Sequence, residues 1–228
     1  MTKRMLLVLL VLVSLTLVGH VPAMAQQTMS ADVVVVGAGA AGLAAAVTAV
    51  EGGAKVILLE KMGAPGGTTN FSEGVFAVES RIQREKNINY SRDEAFKYLM
   101  EYTHWRANAR LARAFIDKSA DTIDWLEKHG VQFIEPAANY PGGLMTWHIV
   151  KGRGKALAQA LYAKAQEKGV TILLSTAGKE LMKDAKGRVS SILAESKDGK
   201  KIQINTKAVI IASGGYLNNK EMLAKYTT

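Results

Sequence analysis

The sequence predicts an α/β fold in which a parallel central sheet carries a helical insertion and an antiparallel β-meander. Three observations predict it. A buried-strand pattern leads into a glycine-rich turn and a helix within residues 32–60. Helical periodicity with capping signals follows within residues 91–130. Short strands separated by hairpin turns then occupy residues 177–206.

The stretch 32–60 has the element order of a dinucleotide-binding unit. Val33 to Val36 form an apolar, β-branched run that suits a strand buried on both faces. Three glycines follow at G-x-G-x-x-G spacing, namely Gly37, Gly39 and Gly42. The first permits a tight turn, the second lets a pyrophosphate approach the backbone, and the third lets a helix pack close to the strand.

A helix over residues 40–51 and a second strand over residues 55–59 complete this unit. The helix is rich in alanine, and its N-terminus offers N–H groups to an anion. The strand ends at Glu60, 18 residues after Gly42, where a carboxylate accepts hydrogen bonds from both ribose hydroxyls. The unit is therefore Rossmann-like, and Glu60 disfavours a ribose 2′-phosphate. The motif alone leaves both NAD and FAD open.

Residues 91–130 are predicted to form the helical insertion. A capping box at Ser91–Glu94 opens the first helix, and an apolar stripe over residues 111–116 marks the second. Ser119 is expected to cap a third helix. A short strand is predicted over residues 131–134, directly after the insertion.

The segment 137–154 has the least regular pattern of the chain, and it contains His148. An amphipathic helix is predicted after it, over residues 156–168. The remaining elements are strands joined by short turns, predicted at 170–174, 177–184, 188–195, 201–206 and 208–212.

Composition excludes several classes of function. The chain has 228 residues, a formal net charge of +9 and no cysteine, so disulfide, thiol and iron–sulfur chemistry are excluded within it. The lysines are scattered and form no basic run with interleaved aromatics, so we expect no nucleic-acid partner. The histidines show no metal-ligand spacing, and we predict no metal site.

The first 25 residues predict a secretory signal peptide. Lys3 and Arg4 precede an apolar stretch over residues 5–18, and Ala23-Met24-Ala25 is an A-x-A cleavage site. The apolar stretch is too short for a comfortable membrane span. Cleavage after Ala25 therefore predicts a periplasmic or secreted protein with no stable membrane span, in preference to an uncleaved anchor.

The residues after Glu60 do not begin another βαβ unit, as a nicotinamide-binding domain would. They form a glycine- and hydroxyl-rich run over residues 61–74, which suits a backbone cradle along a bound flavin. With these motifs the chain resembles the flavoprotein of the fumarate reductase and succinate dehydrogenase family, especially its soluble, periplasmic branch. The stretches that carry the resemblance are Gly37–Gly42, Glu60-Lys61, Gly66–Thr69 and Ala208–Gly215.

The resemblance implies that the chain binds FAD, and it assigns the cofactor-binding positions residue by residue. They are Gly37, Ala38, Gly39, Ala41, Gly42, Glu60, Lys61, Gly67, Thr68, Thr69, Gly74, Val75, Ala177, Gly178, Ala212 and Gly214. The backbone of Ala177 and Gly178 is expected to meet the adenine. Val75 stands where the family pattern has a second glycine. The family also has a histidine near the flavin ring at the position of His148, but we assign no catalytic residue.

The resemblance further implies that FAD is held without a covalent bond. The membrane-bound branch of the family joins FAD to a histidine near the position of Thr68. This sequence has no histidine, cysteine or tyrosine between Gly66 and Gly74. The soluble branch has Gly-Gly-Asn-(Ala/Ser) where this chain has Gly66-Gly67-Thr68-Thr69.

The implied activity is reduction of an activated C=C bond by hydride transfer from the flavin. A small-molecule substrate such as a dicarboxylate and an electron-donor protein are the candidate partners. Two alternatives stay open: a dehydrogenase for another enoyl or steroid-like substrate, and a non-catalytic or truncated module that needs a second chain. Family members continue into a substrate-capping domain. Residues 26–228 are therefore expected to be an incomplete FAD-binding domain that is inactive as an enzyme on its own.

Overall fold

A computed structural model describes residues 27–138 and 140–227. The predicted signal peptide lies outside these residues. The strands are, in chain order, β1 (Gln27–Ser30), β2 (Val33–Val36), β3 (Val56–Leu59), β4 (Gly74–Phe76), β5 (Phe133–Ala137), β6 (Trp147–Val150), β7 (Thr171–Leu173), β8 (Thr176–Lys183), β9 (Val189–Ser196), β10 (Lys201–Asn205) and β11 (Ala208–Ile211).

The helices lie between and after these strands, and among the described residues none is long and apolar enough to cross a membrane. A 3-10 helix spans Gly67–Phe71. The α-helices are α1 (Ala40–Glu51), α2 (Arg81–Glu85), α3 (Arg92–Tyr102), α4 (Ala109–Asp117), α5 (Ser119–Lys128), α6 (Arg153–Glu167) and α7 (Lys220–Tyr226).

The central sheet confirms the predicted α/β fold. Its strands lie in the order β11-β2-β3-β7 and are all parallel. Val34 and Val35 are fully buried, and β3 is buried along its whole length. Helix α1 covers one face through Leu43, Ala46 and Val47, which pack in one core with Leu58 and with residues of α6. The alternation of a β-branched strand and an alanine-rich helix therefore builds the dinucleotide-binding layer.

The predicted β-meander forms a second sheet, in the order β1-β10-β9-β8. The pairs β8·β9 and β9·β10 are antiparallel, and Ile192 and Ile204 pack with Val34 and Ile57 of the central sheet. Strand β1 pairs parallel with β10 and was not predicted. Its residues are largely exposed, so its sequence lacks the alternation that marks a half-buried strand.

A third, antiparallel sheet in the order β4-β6-β5 corrects the sequence analysis. The segment 137–154 was predicted to be irregular, but it contains β6 and the first residues of α6. Strand β6 is fixed by pairing with β4, more than 70 residues earlier in the chain, which no local pattern reports. The short strand predicted over residues 131–134 also lies further along, in β5.

The helical insertion begins as predicted, with a complete capping box between Ser91 and Glu94 at the start of α3. The predicted role of Ser119 as a cap is wrong, because α5 begins at Ser119 itself. The Ser119 hydroxyl instead accepts from the Val78 N–H at 3.2 Å and donates to the Ile116 carbonyl at 2.7 Å. Its hydroxyl therefore joins the helical insertion to the segment after β4.

Candidate cofactor site

Two glycines of the loop between β2 and α1 are required by the packing of the chain. Gly37 has a φ of +106°, and a Cβ there would lie 2.4 Å from the Ala212 carbonyl oxygen, just after β11. A Cβ on Gly42 would lie 1.8 Å from the Gly37 carbonyl oxygen. The first glycine therefore makes the turn and the third lets α1 reach the sheet, as the motif predicts.

Gly39 differs from these two glycines, because no contact with a described residue requires a glycine there. Its φ of −75° is open to any residue. A Cβ there would meet its nearest atoms, the Thr69 Oγ1 and the Gly66 carbonyl oxygen, at 3.6 and 3.8 Å, which is ordinary contact. The space next to Gly39 is therefore left open by the protein, as a ligand that approaches the backbone would need.

The carboxylate of Glu60 is 6% exposed and binds two backbone N–H groups. Oε2 accepts from Ala38, inside the glycine loop, and Oε1 accepts from Met62, each at 2.8 Å. A carboxylate has about four acceptor positions. Glu60 can therefore hold the loop in shape and still accept hydrogen bonds from a ribose.

A second contact fixes the loop from the side of the 3-10 helix. The Ala40 N–H donates to Thr69 Oγ1 at 3.0 Å, and the Gly66 N–H donates to the Ala38 carbonyl at 2.7 Å. Gly66 was not among the predicted cofactor-binding positions, although its Gly-Gly pair with Gly67 was a signal for it. These two bonds join the segment after Glu60 to the glycine loop.

Helix α6 supports this segment from behind. The Gly154 N–H donates to the Ser72 carbonyl at 2.7 Å. A Cβ on Gly154 would lie 1.8 Å from the Thr69 carbonyl oxygen, so only glycine permits this approach. Sequence reasoning missed Gly154, because it was assigned to the irregular segment 137–154 and the helix was predicted to begin only at residue 156, whereas α6 begins at Arg153.

Alternate N–H groups of the loop remain available to a ligand. Those of Ala38 and Ala40 are bound by Glu60 and Thr69. Within the described residues no acceptor contacts the N–H groups of Gly39, Ala41 and Gly42. They lie at the positive end of α1, where backbone N–H groups have no helical partner. The donors and the open space beside Gly39 fit a diphosphate.

Other predicted positions lie next to this loop. The Thr176 N–H donates to the Glu60 carbonyl at 2.8 Å, which places Ala177 beside the end of β3. A Cβ on Gly178 would lie 3.2 Å from the Val36 side chain. Ala212 contacts the loop at Gly37. The first residues of β8 therefore lie at the same edge of the central sheet.

The remaining predicted positions lie on other segments of the chain. Lys61, Gly67 and Thr68 are exposed on the segment that leads from Glu60 into the 3-10 helix, and Gly214 is exposed after β11. Gly74 and Val75 lie on β4, in the third sheet. His148 lies on β6 and is fully buried. The structure thus brings Glu60, Thr69 and Ala212 together at the loop. The 3-10 helix connects them along the chain to β4.

A surface pocket lies at the opposite, amino-terminal end of the central strands. It is lined in part by Asp32, Lys55 and Lys207. Lys207 donates to Asp32 at 2.7 Å and lowers the pKa of that carboxyl below its usual range. This ion pair is exposed to water, which screens it. None of the residues that line this pocket belongs to the glycine loop, so the pocket is separate from the candidate cofactor site.

We expect Glu60→Gln to weaken both the apo fold and FAD binding. A glutamine offers one oxygen to the two N–H groups that Glu60 binds, so its amide NH2 group faces a donor. The free energy of unfolding should fall by about 1–3 kcal/mol, and the FAD Kd should rise about tenfold or more. Urea unfolding and FAD titration measure the two effects. Glu101→Gln, at an exposed carboxylate 3.9 Å from Lys97, is the control and should change neither. Equal values for Glu60→Gln and the parent would contradict this role.

Comparisons with known proteins find a family and several relatives for this chain. The model of the FAD binding domain family matches residues 32–228. Vinyl phenol reductase of Lactiplantibacillus plantarum is 44% identical over 200 residues, which cover 87% of this chain and 40% of that protein. A cytochrome-type fumarate reductase of Shewanella frigidimarina is 32% identical, over 85% of this chain and 35% of that protein.

A solved structure extends this likeness to three dimensions. The open conformation of a flavocytochrome c3 fumarate reductase superimposes with a TM-score of 0.81 at 28% identity, over 87% of this chain and 36% of that one. The chain therefore spans two fifths or less of the length of each of these relatives.

Proposed function

The chain belongs to the FAD binding domain family, and from this premise we propose that it is the FAD-binding part of a flavin-dependent oxidoreductase. One observation carries the proposal. The open space beside Gly39 is bordered by N–H groups that have no acceptor among the described residues, and the buried carboxylate of Glu60 binds the same loop at the Ala38 N–H. A dinucleotide carries a diphosphate next to a ribose, so one molecule can bind the N–H groups through the diphosphate and Glu60 through the ribose.

Each group of the site then has a task in holding FAD. Glu60 accepts from the ribose hydroxyls, and the N–H groups of Gly39, Ala41 and Gly42 donate to the diphosphate. Thr69 and Gly66 keep the loop in shape before the cofactor arrives. When bound, the flavin supplies the hydride-transfer chemistry. The backbone of Gly74 and Val75 is proposed to border its ring system.

We propose an activated alkene as the substrate class. The relatives include a vinyl phenol reductase and fumarate reductases. The substrates in these names each contain an alkene conjugated to an aromatic ring or to an electron-withdrawing group. The higher identity, 44% against 32%, favours an alkene on an aromatic ring over a dicarboxylate. We further propose that turnover needs an electron donor and sequence equivalent to the remaining part of those relatives. We also propose that the predicted signal peptide directs the chain to the periplasm or outside the cell.

Cofactor selectivity and attachment test the proposal. FAD should raise the melting temperature of the purified chain, and NAD should not, because the run over residues 61–74 suits a flavin and no second nicotinamide-type βαβ unit follows Glu60. After acid precipitation the yellow colour should stay in the supernatant, because a non-covalent flavin is released on unfolding. Protection by NAD but not FAD would contradict the proposed function. Flavin fluorescence in the precipitated protein would contradict non-covalent binding alone.

A further inference from the structure

His148 is a buried histidine that the cofactor site does not use. It lies on β6, the middle strand of the third sheet, and is 0% exposed. The Phe133 ring packs edge-on against its imidazole, with ring centroids 6.2 Å apart. Its enclosure keeps it from acting directly on a substrate, so any role must act through its neighbours.

The hydrogen bonds of His148 define its protonation state. Nδ1 lies 3.3 Å from the Thr146 carbonyl, which only accepts, so Nδ1 carries the proton. Nε2 lies 2.7 Å from Ser80 Oγ, and the serine hydroxyl donates to it. Ser80 also caps α2, because its Oγ accepts from the Gln83 N–H at 3.1 Å. A neutral imidazole therefore completes this buried network. A charged imidazole would have to donate from Nε2 to Ser80 Oγ, which reverses that bond and leaves the serine hydroxyl hydrogen without its acceptor.

This network holds one end of the segment that shapes the cofactor site. The segment runs from Gly66 to Phe76, and its first part is bound to the glycine loop through Gly66 and Thr69. Its last part is β4, where Val75 pairs with His148. A Cβ on Gly74 would lie 2.4 Å from the His148 carbonyl oxygen, so the two strands are in close contact.

We propose that His148 is a positioning residue for FAD, and that its protonation reverses the hydrogen bond to Ser80, loosens β4 and lowers the affinity for the cofactor. The inference rests on the proposed function, because it needs β4 to border the flavin. The pH dependence of the FAD affinity then originates in a residue that holds β4 in place and not in a group that contacts the cofactor.

The direction of the pH dependence follows from the burial of the ring. Burial lowers the pKa of His148 below its ordinary value of 6.5. The neutral network is then intact above about pH 6.5, and its contribution is lost as the pH falls through the range below that value. The charge of Glu127 acts against this shift by favouring the charged ring, and Arg81 holds that carboxylate at 2.7 Å. Arg81 also binds Glu85 at 2.7 Å, and the exposed Glu135 precedes Pro136, which pairs with His148.

The test compares two substitutions that remove the titrating ring in different ways. His148→Gln places an acceptor within reach of Ser80, and His148→Asn keeps a donor towards Thr146 but gives Ser80 no acceptor. His104→Asn, at an exposed histidine, is the control. The FAD Kd and the urea midpoint of the whole chain are measured from about pH 8 to about pH 5.5.

The parent and His104→Asn should lose FAD affinity about three- to tenfold as the pH falls across this range. His148→Gln should bind within about threefold of the parent at the upper pH and show a flat profile. His148→Asn should bind about three- to tenfold more weakly at every pH.

A pH-dependent Kd in His148→Gln, or parent-like binding by His148→Asn, would overturn the proposal. A pH-dependent urea midpoint with a constant Kd would also overturn it, since His148 would then serve the fold alone. Failure of the parent to bind FAD at any pH would instead contradict the proposed function.

Discussion

Gly39→Val should abolish FAD binding at micromolar concentrations and leave the fold intact. The backbone at Gly39 has a φ of −75°, which valine adopts without strain, and its Cβ would meet only ordinary contacts at 3.6 Å and beyond. The branched side chain would instead fill the space of the diphosphate, next to the N–H groups of Ala41 and Gly42, which have no acceptor in the part of the chain that the structure describes. Loss of two charge-assisted hydrogen bonds costs about 3–5 kcal/mol, or about 100- to 4,000-fold in Kd.

Flavin fluorescence titration measures the loss of binding, and urea unfolding measures the fold. Gly52→Val is the matched control, because Gly52 lies at the other end of α1 with the same φ of −75° and a nearest contact of 3.3 Å. It should bind FAD like the parent. Parent-like binding by Gly39→Val would show that the diphosphate lies elsewhere.

Gly42→Ala, unlike Gly39→Val, should destabilise the apo fold. A Cβ there would lie 1.8 Å from the Gly37 carbonyl oxygen and 3.3 Å from the Ala212 Cβ, so α1 must move away from the sheet. The better helix propensity of alanine returns at most about 1 kcal/mol. Overpacking a well-packed core costs about 1–3 kcal/mol and occasionally more. A contact of 1.8 Å with a backbone oxygen belongs at the upper end of that range, so the steric cost exceeds the gain in helix propensity.

The urea midpoint of the apo protein measures this loss. Thr48→Ala, at an exposed position of the same helix, is the control and should shift the free energy of unfolding by less than about 0.5 kcal/mol. A Gly42→Ala protein as stable as the parent would mean that α1 does not pack against Gly37 as described. FAD binding should fall along with stability, in contrast to Gly39→Val.

The dinucleotide-binding layer could be predicted from sequence because its signals are local. The run Val33–Val36, the three glycines and Glu60 each reflect a constraint set within 30 residues of chain. The helix over 40–51 was predicted to the residue. The capping box at Ser91–Glu94 was equally local and was also confirmed.

The contacts that shape the site could not be predicted in this way. That Glu60 binds the Ala38 N–H, and that Thr69 binds the Ala40 N–H, depends on folded geometry across 22 and 29 residues. Strand β6 exists because β4 pairs with it, and β1 is too exposed to show a pattern. A glycine pair or a buried histidine indicates that something is close by, but only the fold identifies the partner.

The central claim is that FAD binds through the N–H groups of the glycine loop, and backbone amide NMR tests it most directly. In a titration of the 15N-labelled chain with FAD, the signals of Gly39, Ala41 and Gly42 should shift most and saturate at one equivalent. Those of Ala38 and Ala40 should shift less, because Glu60 and Thr69 already bind them. Large shifts confined to the pocket around Asp32, Lys55 and Lys207, with an unchanged glycine loop, would contradict the claim.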